Sequence, residues 1–221
     1  MKLIVISPES ADPREPAILA ELFAAGLTDY HLRKPAWTRD QLAAFLRALP
    51  PSVTARVILH THHDLAAEFP LAGLHERTQV GACLQAMSDA HPQAPLHPQA
   101  SRPPQTSPAS RLLPRLRSRA IHDLPTLRAS LDRADTRLLF SPVFPSISKP
   151  GHVPRHSTAE LRAVLQLPRR AEVIALGGVS AERIPECRAL GFDGVAVLGA
   201  IWQAPDPVAA FRFHHEIATF A

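Results

Sequence analysis

The sequence predicts a single-domain (β/α)8 barrel, and three observations carry that prediction. Short apolar runs recur eight times along the chain, separated by segments with helical spacing. Most of these runs are close to continuously apolar, as in strands of a parallel sheet that is covered on both faces. A length of 221 residues suits one barrel, so residues 1–221 are read as one domain. A doubly wound open sheet is the runner-up, but the chain lacks the glycine fingerprint such sheets carry in their first strand-to-helix turn.

In chain order, Lys2–Ile6 is the first strand. Residues 16–25 follow with Ile18, Leu19, Leu22 and Phe23 at helical spacing and stop at Gly26, a helix C-terminus signal. Residues 29–33 form the second strand, and Thr38 can cap a helix through Leu42, Phe45, Leu46 and Leu49. Residues 56–60 are the third strand, with a short helix near 65–69. Residues 71–75 are the fourth, followed by a weak helix around 80–90. The pattern then lapses. Residues 91–114 are rich in Pro, Gln and Ser without an apolar period. Such a composition buries too little surface to offset its ordering entropy, so a flexible surface insertion is expected, with a proline-rich docking segment as the functional alternative. Residues 117–122 are the fifth strand, with a helix through Leu124, Leu127 and Leu131. Residues 137–140 are the sixth, after which Thr158 is expected to cap a helix containing Leu161, Val164 and Leu165. Residues 173–176 and 194–198 complete the eight strands around a helix over 181–190, and residues 206–220 are the closing helix.

Composition excludes several classes. The opening MKLIVISPE breaks too soon for a signal-peptide core, and no later run approaches the length needed to span a bilayer. Cys83 and Cys187 have neither disulfide nor zinc spacing, so a reducing cytoplasm is the expected compartment. The net charge of +4 is concentrated. Arg102, Arg111, Arg115, Arg117 and Arg119 fall in a stretch without an acid, and the other 19 basic residues nearly balance the 20 acidic ones. With no recognition motif beside that charge, neither a nucleic-acid nor a membrane partner is expected.

In barrels of this kind the chemistry is built from the C-terminal ends of the strands. Residues 173–179 (VIALGGV) and 194–200 (GVAVLGA) carry glycines at their strand ends, and five of the nine glycines fall in or between them. Glycine at a strand end lets backbone approach a ligand and aim N–H groups at an anion, so the two blocks predict a phosphate cup. Turn glycines that only join strand to helix are the alternative. Arg33 and Lys34 end the second strand and offer a fork and a point charge for phosphate oxygens. Ser146, Ser148 and Lys149 form a hydroxyl and ammonium loop after the sixth. His60 and His62 have an H-x-H spacing that can bind metal, but no clear complement of ligands follows on later strands, and no metal site is assigned. His122 ends the fifth strand and is the acid–base candidate, since imidazole exchanges protons near neutral pH. A histidine hydrogen-bonded within its loop is the alternative reading.

The stretches YHLRK, VILHTHHDLA, AGLH, SRAIHDL, FSPVFPSISKPG and VIALGGVS…GFDGVAVLGAIW, in this order, resemble the thiamine-phosphate synthase/TenI family of small barrels. They cover nearly the whole chain outside 91–114. The resemblance implies thiamine biosynthesis and a thiazole phosphate ligand. The phosphate would be held by backbone N–H groups of Gly177, Gly178, Leu198 and Gly199, helped by Ser146 and Ser148. In the synthase branch a pyrimidine diphosphate ionises and the thiazole nitrogen captures the cation. That chemistry requires Mg²⁺ and cationic residues, and Arg33 and Lys149 match the latter. The chain departs from the synthase pattern at three points. It has His31-Leu32-Arg33-Lys34-Pro35 for Gln-x-Arg-x-Lys and His60-Thr61 for Asn-Asp, and it lacks the aspartate a few residues beyond Gly-x-His. The tautomerase branch needs no metal, and a histidine after the fifth strand moves the proton that aromatises the thiazole carboxylate phosphate. His122 matches that position, and His31-x-Arg33 also looks like that branch. The resemblance therefore tilts toward a tautomerase-like member, with an active synthase and a non-catalytic thiazole-phosphate-binding protein as alternatives. His31, His60 and Lys34 join the expected substrate site. The expected partner is a small-molecule phosphate; barrels of this kind often pair, which makes a homodimer an expected state.

Overall fold

The computed structural model describes residues 1–76, 116–134, 136–145 and 153–220. Eight parallel strands close into a barrel in sequential order. They are β1 (Lys2–Ile6), β2 (Tyr30–Leu32), β3 (Val57–Leu59), β4 (Gly73–Glu76), β5 (Leu116–Ile121), β6 (Thr136–Phe140), β7 (Glu172–Leu176) and β8 (Gly194–Val197). Closure runs from Lys2 opposite Gly194 to Val5 opposite Val197. The (β/α)8 expectation holds strand for strand. The weak helix at 80–90 and the whole 91–114 insertion lie outside the described residues, which omit 77–115.

The outer layer comprises α1 (Glu15–Ala24), α2 (Arg39–Ala48), α3 (Pro51–Thr54), α4 (Leu124–Ser130), α5 (Thr158–Leu165), α6 (Ile184–Leu190), α7 (Gly199–Trp202) and α8 (Pro207–Phe220). α3 and α7 were not legible in the sequence, because four residues make barely one turn and show no apolar period. Thr38 caps α2 as expected, in a reciprocal box with Gln41. The cap of α5 corrects the expectation. Ser157, not Thr158, accepts from the Glu160 N–H at 3.2 Å while the Glu160 carboxylate accepts from the Ser157 N–H at 2.8 Å. The S-x-x-E spacing from Ser157 carries that signal. The segment 181–190 divides, Ala181–Arg183 forming a 3-10 turn before α6.

Alternate strand residues point inward and outward. Leu3, Val5, Leu138, Phe140, Val173, Ala175, Val195 and Val197 join the large core against the helices. Ile4, Ile6, Leu139, Ile174 and Ala196 form a separate cluster inside the barrel. On β2, β4 and β5 the residues in the inward register are instead polar and buried: His31, His75 and Ser118. The barrel interior therefore has an apolar wall (β1 and β6–β8) and a polar one. At the opposite end of the strands the buried Arg137 pairs with Asp29 and Glu172 at 3.1 Å each, and Glu172 also pairs with Lys2. That network holds the N-terminal end of the barrel and leaves the C-terminal mouth for ligands.

Candidate active site

The C-terminal mouth holds a cavity of about 1300 Å³. Its apolar wall ends in the two glycine blocks, and Gly177, Gly178, Leu198 and Gly199 all line it. The β6 loop is stapled to the end of β7, with the Val143 and Phe144 N–H groups donating to the Leu176 and Gly177 carbonyls at 3.0 and 3.1 Å. Gly177 and Gly178 have φ of +88° and +69°, in the region that favours glycine. A Cβ on Gly178 would also lie 2.8 Å from the Phe144 Cβ. Glycine is thus demanded by backbone conformation and packing, and the same absence of side chains leaves backbone at the cavity surface. Leu198 precedes α7, whose first N–H groups have no partner within the helix.

Arg33 also lines the cavity. Ser7, at the end of β1, fixes its backbone: the Arg33 N–H donates to the Ser7 Oγ at 2.8 Å, and that hydroxyl donates to the Arg33 carbonyl at 3.0 Å. The Arg33 guanidinium pairs with Glu9. Lys34 points elsewhere. Its ammonium is fully buried, donating to Glu15 Oε2 at 2.5 Å and to the Ser10 carbonyl at 2.8 Å, and it lies 4.9 Å from the Trp37 ring centroid. Arg33 and Lys34 follow β2 directly and continue its alternation, which places Arg33 at the cavity and Lys34 behind it. The structure corrects the expectation that both cations face one anion. Burial pushes the Glu15 carboxyl up, against the bonds from Lys34 and from Tyr30, whose hydroxyl donates at 2.7 Å.

His122 lies on the cavity wall just after β5. Its Nδ1 is 2.9 Å from the Ser141 carbonyl oxygen. A ring nitrogen facing a carbonyl carries the proton, so the bond fixes the tautomer in which Nε2 keeps its lone pair. Ser141, at the end of β6, lines the cavity beside it.

His60 and His75 also line the cavity, whereas His31 lies fully buried beside them. His31 Nδ1 is 3.0 Å from His60 Nε2, and the His60 and His75 rings stack at 4.0 Å between centroids. His75 Nδ1 is 2.8 Å from Ser118 Oγ. Burial pushes all three imidazoles down, His75 to about 4. The H-x-H pair does not converge. His62, at φ +52°, places its Nε2 3.2 Å from the Trp37 carbonyl, while His60 turns to His31 and His75.

Ser146, Ser148 and Lys149 lie outside the described residues. The sequence reading gave no role to Ser7, Glu9, Ser141 or Trp202, whose indole N–H donates to the Ile6 carbonyl at 2.8 Å. The strand-end rule applied to Ser7-Pro8-Glu9 carries the signal for the first two. Mg²⁺ favours carboxylate and water oxygens. Among the described residues the carboxylates lining the cavity are Glu9, paired with Arg33, and Asp12, paired with Arg14 at 2.8 Å. Glu76 is held by Arg119 at 2.8 Å, and imidazoles occupy the ends of β3 and β4. This donor set does not fit Mg²⁺.

The structure is a closed (β/α)8 barrel with glycine backbone, an arginine and a histidine held by a carbonyl around the cavity at its C-terminal mouth, where barrels of this class bind small molecules. The family profile described as thiamine monophosphate synthase matches residues 119–201. A thiamine-phosphate synthase from Bordetella pertussis is 30% identical over 94% of this chain and 90% of its own length. The chain belongs to the thiamine-phosphate synthase/TenI family. A thiamine-phosphate synthase from Mycolicibacterium vanbaalenii is 35% identical over 43% of each chain, so that match spans less than half of the relative. The crystal structure of thiamine phosphate pyrophosphorylase from Bacteroides thetaiotaomicron superposes with a TM-score of 0.68 at 23% identity, covering 99% of this chain and 98% of that one, and shares the fold. Among the described residues no helix is long and apolar enough to cross a membrane.

Proposed function

We propose that the chain is a thiamine-biosynthesis enzyme that binds a thiazole phosphate and transfers a proton on it, as a thiazole tautomerase does. The observation that carries this reading is His122, held by Ser141 so that Nε2 is a base at the cavity wall. Backbone of Gly177, Gly178, Leu198 and Gly199 holds the phosphate, and Arg33 balances the substrate carboxylate. Nε2 takes a proton from the ring system, and its return at the position that completes aromaticity ends the reaction. Ser146, Ser148 and Lys149 are assigned to the phosphate side through the family pattern.

The second reading is a synthase, favoured by the names of the relatives. It joins a pyrimidine diphosphate to the thiazole phosphate, with Arg33 and Lys149 holding the departing diphosphate. Purified protein is incubated with the thiazole carboxylate phosphate tautomer, and separately with both synthase substrates and Mg²⁺, each followed by NMR. The tautomerase reading expects isomerisation in the first assay and a rate reduced roughly 10²–10⁴-fold in His122→Ala. Turnover confined to the second establishes the synthase; turnover in neither removes both.

A further inference from the structure

The polar wall of the barrel carries more imidazole than anion binding or proton transfer by His122 requires. His31, His60 and His75, from β2, the end of β3 and β4, present one nitrogen each within 4.8 Å of one another, and all three are buried. A barrel interior is ordinarily filled by branched apolar side chains, as the Ile4, Leu139 and Ile174 wall is. Two imidazole nitrogens that face each other at 3.0 Å, as His31 Nδ1 and His60 Nε2 do, share either a proton or a cation. Ser118 Oγ lies 2.8 Å from His75 Nδ1; with the hydroxyl accepting the Nδ1 proton, Nε2 is the nitrogen left to ligate.

We propose that His31, His60 and His75 form a binding site for a first-row transition-metal dication of the zinc class, with an open position toward the cavity that His60 and His75 line. Neutral imidazole selects zinc-class ions over magnesium and calcium, which take oxygen. Metal–nitrogen bonds of about 2.0–2.1 Å in a tetrahedral arrangement set ligand nitrogens about 3.3 Å apart. The His31–His60 pair is already near that spacing, and rotation of the stacked His75 ring brings in the third. Three protein ligands and one open position are the pattern of a site that meets a ligand, here an anionic oxygen of whatever occupies the cavity. The site is independent of which reaction His122 serves.

The full chain is dialysed against chelator, then titrated with Zn²⁺, Co²⁺ or Mg²⁺ alone, without substrate. One equivalent of Zn²⁺ is expected to bind, Co²⁺ to give the visible absorption of a low-coordinate nitrogen site, and millimolar Mg²⁺ not to compete. His75→Ala and His60→Gln should each weaken Zn²⁺ at least tenfold, and His62→Ala should leave it unchanged. X-ray absorption of the zinc-loaded wild-type protein should show three imidazole nitrogens, a readout that stands even where a variant fails to fold. No stoichiometric Zn²⁺ binding, an absorption spectrum without imidazole scattering, or affinity retained in His75→Ala would each overturn the site. Because no substrate is present, that outcome is separate from failure of the thiazole phosphate reading.

Discussion

Lys34 is where position in the sequence and position in space part most sharply, and one substitution separates the two roles. It follows Arg33 directly, yet both Lys34 and Glu15 have fully buried side chains. Replacing the lysine in Lys34→Met keeps an unbranched stem and deletes the charge, leaving Glu15 buried with only the Tyr30 hydroxyl. Breaking a buried pair by removing one partner costs about 3–5 kcal/mol, since the surviving charge is uncompensated. For a chain of this length that corresponds to a fall in Tm of roughly 6–20 °C. Lys34→Met/Glu15→Gln removes both charges and keeps a hydrogen-bonding partner for Tyr30, so it should recover about half of the loss. Thermal melts followed by circular dichroism give the stabilities, and calorimetry with inorganic phosphate below the melting transition gives the affinity. The expected result is a large drop in Tm, a partial recovery in the double variant, and phosphate affinity within about twofold of wild type. A Tm within 2 °C of wild type together with a tenfold loss of phosphate affinity (about 1.4 kcal/mol) would refute the reasoning and return Lys34 to the substrate.

Three further predictions follow from single contacts. Gly178→Ala puts a Cβ at φ +69° against Phe144, so stability should fall by about 1–3 kcal/mol, measured by urea denaturation, and phosphate affinity with it; an unchanged urea midpoint would show that the turn relaxes freely. The His75 imidazole stays neutral in the fold to about 4 while an unfolded histidine protonates near 6.5, so the unfolded chain binds more protons between those values. Stability of the metal-free protein should therefore decline as pH falls from about 6.5 toward 4, by on the order of 3 kcal/mol from this residue, with His31 and His60 adding in the same direction; urea midpoints that stay flat across that window would contradict it. Ser157→Ala removes the cap of α5 and should cost about 1 kcal/mol, whereas Thr158→Ala should cost less than half as much by the same melts.

The barrel was legible because its signals are local and repeated. Eight apolar runs set the strand count, Gly26 and Gly191 mark helix ends at φ of +107° and +103°, and Thr38 with Gln41 writes its capping box into the sequence. The mouth was legible in outline through the strand-end rule, which reached Arg33, His122 and both glycine blocks. What stayed hidden depends on direction and register. Whether Arg33 or Lys34 meets the ligand depends on which face of β2 each presents, and adjacent residues give no composition signal for that. His75 was visible as a strand end, but its meeting with His31 arises from register. Leu59 pairs with Leu74, and His31 with Ile58, which brings side chains 44 positions apart into one cluster. The H-x-H spacing of His60 and His62 suggested a metal pair that the left-handed conformation of His62 takes apart.

The same division inside the barrel bears on what decides the reaction. The β1 and β6–β8 wall is apolar and its β7 and β8 ends carry glycine at the cavity, where both proposed reactions put the thiazole phosphate. A second, diphosphate-bearing substrate would have to be held on the other wall. Among the described residues, Glu76 on that wall is paired with Arg119, Glu9 and Asp12 after β1 are paired with Arg33 and Arg14, and the buried polar groups of that wall are three imidazoles and the Ser118 hydroxyl. Among the described residues that wall offers few free oxygens for a magnesium bridge to a departing diphosphate, whose developing charge would then fall to the cations. Moving one proton makes no such demand: it needs an oriented base and an anchored anion, the roles proposed for His122, held by the Ser141 carbonyl, and for the glycine backbone at the cavity. That contrast supports the proposed proton transfer, and a metal held by the three imidazoles would add a positive centre for a carboxylate beside the proposed base.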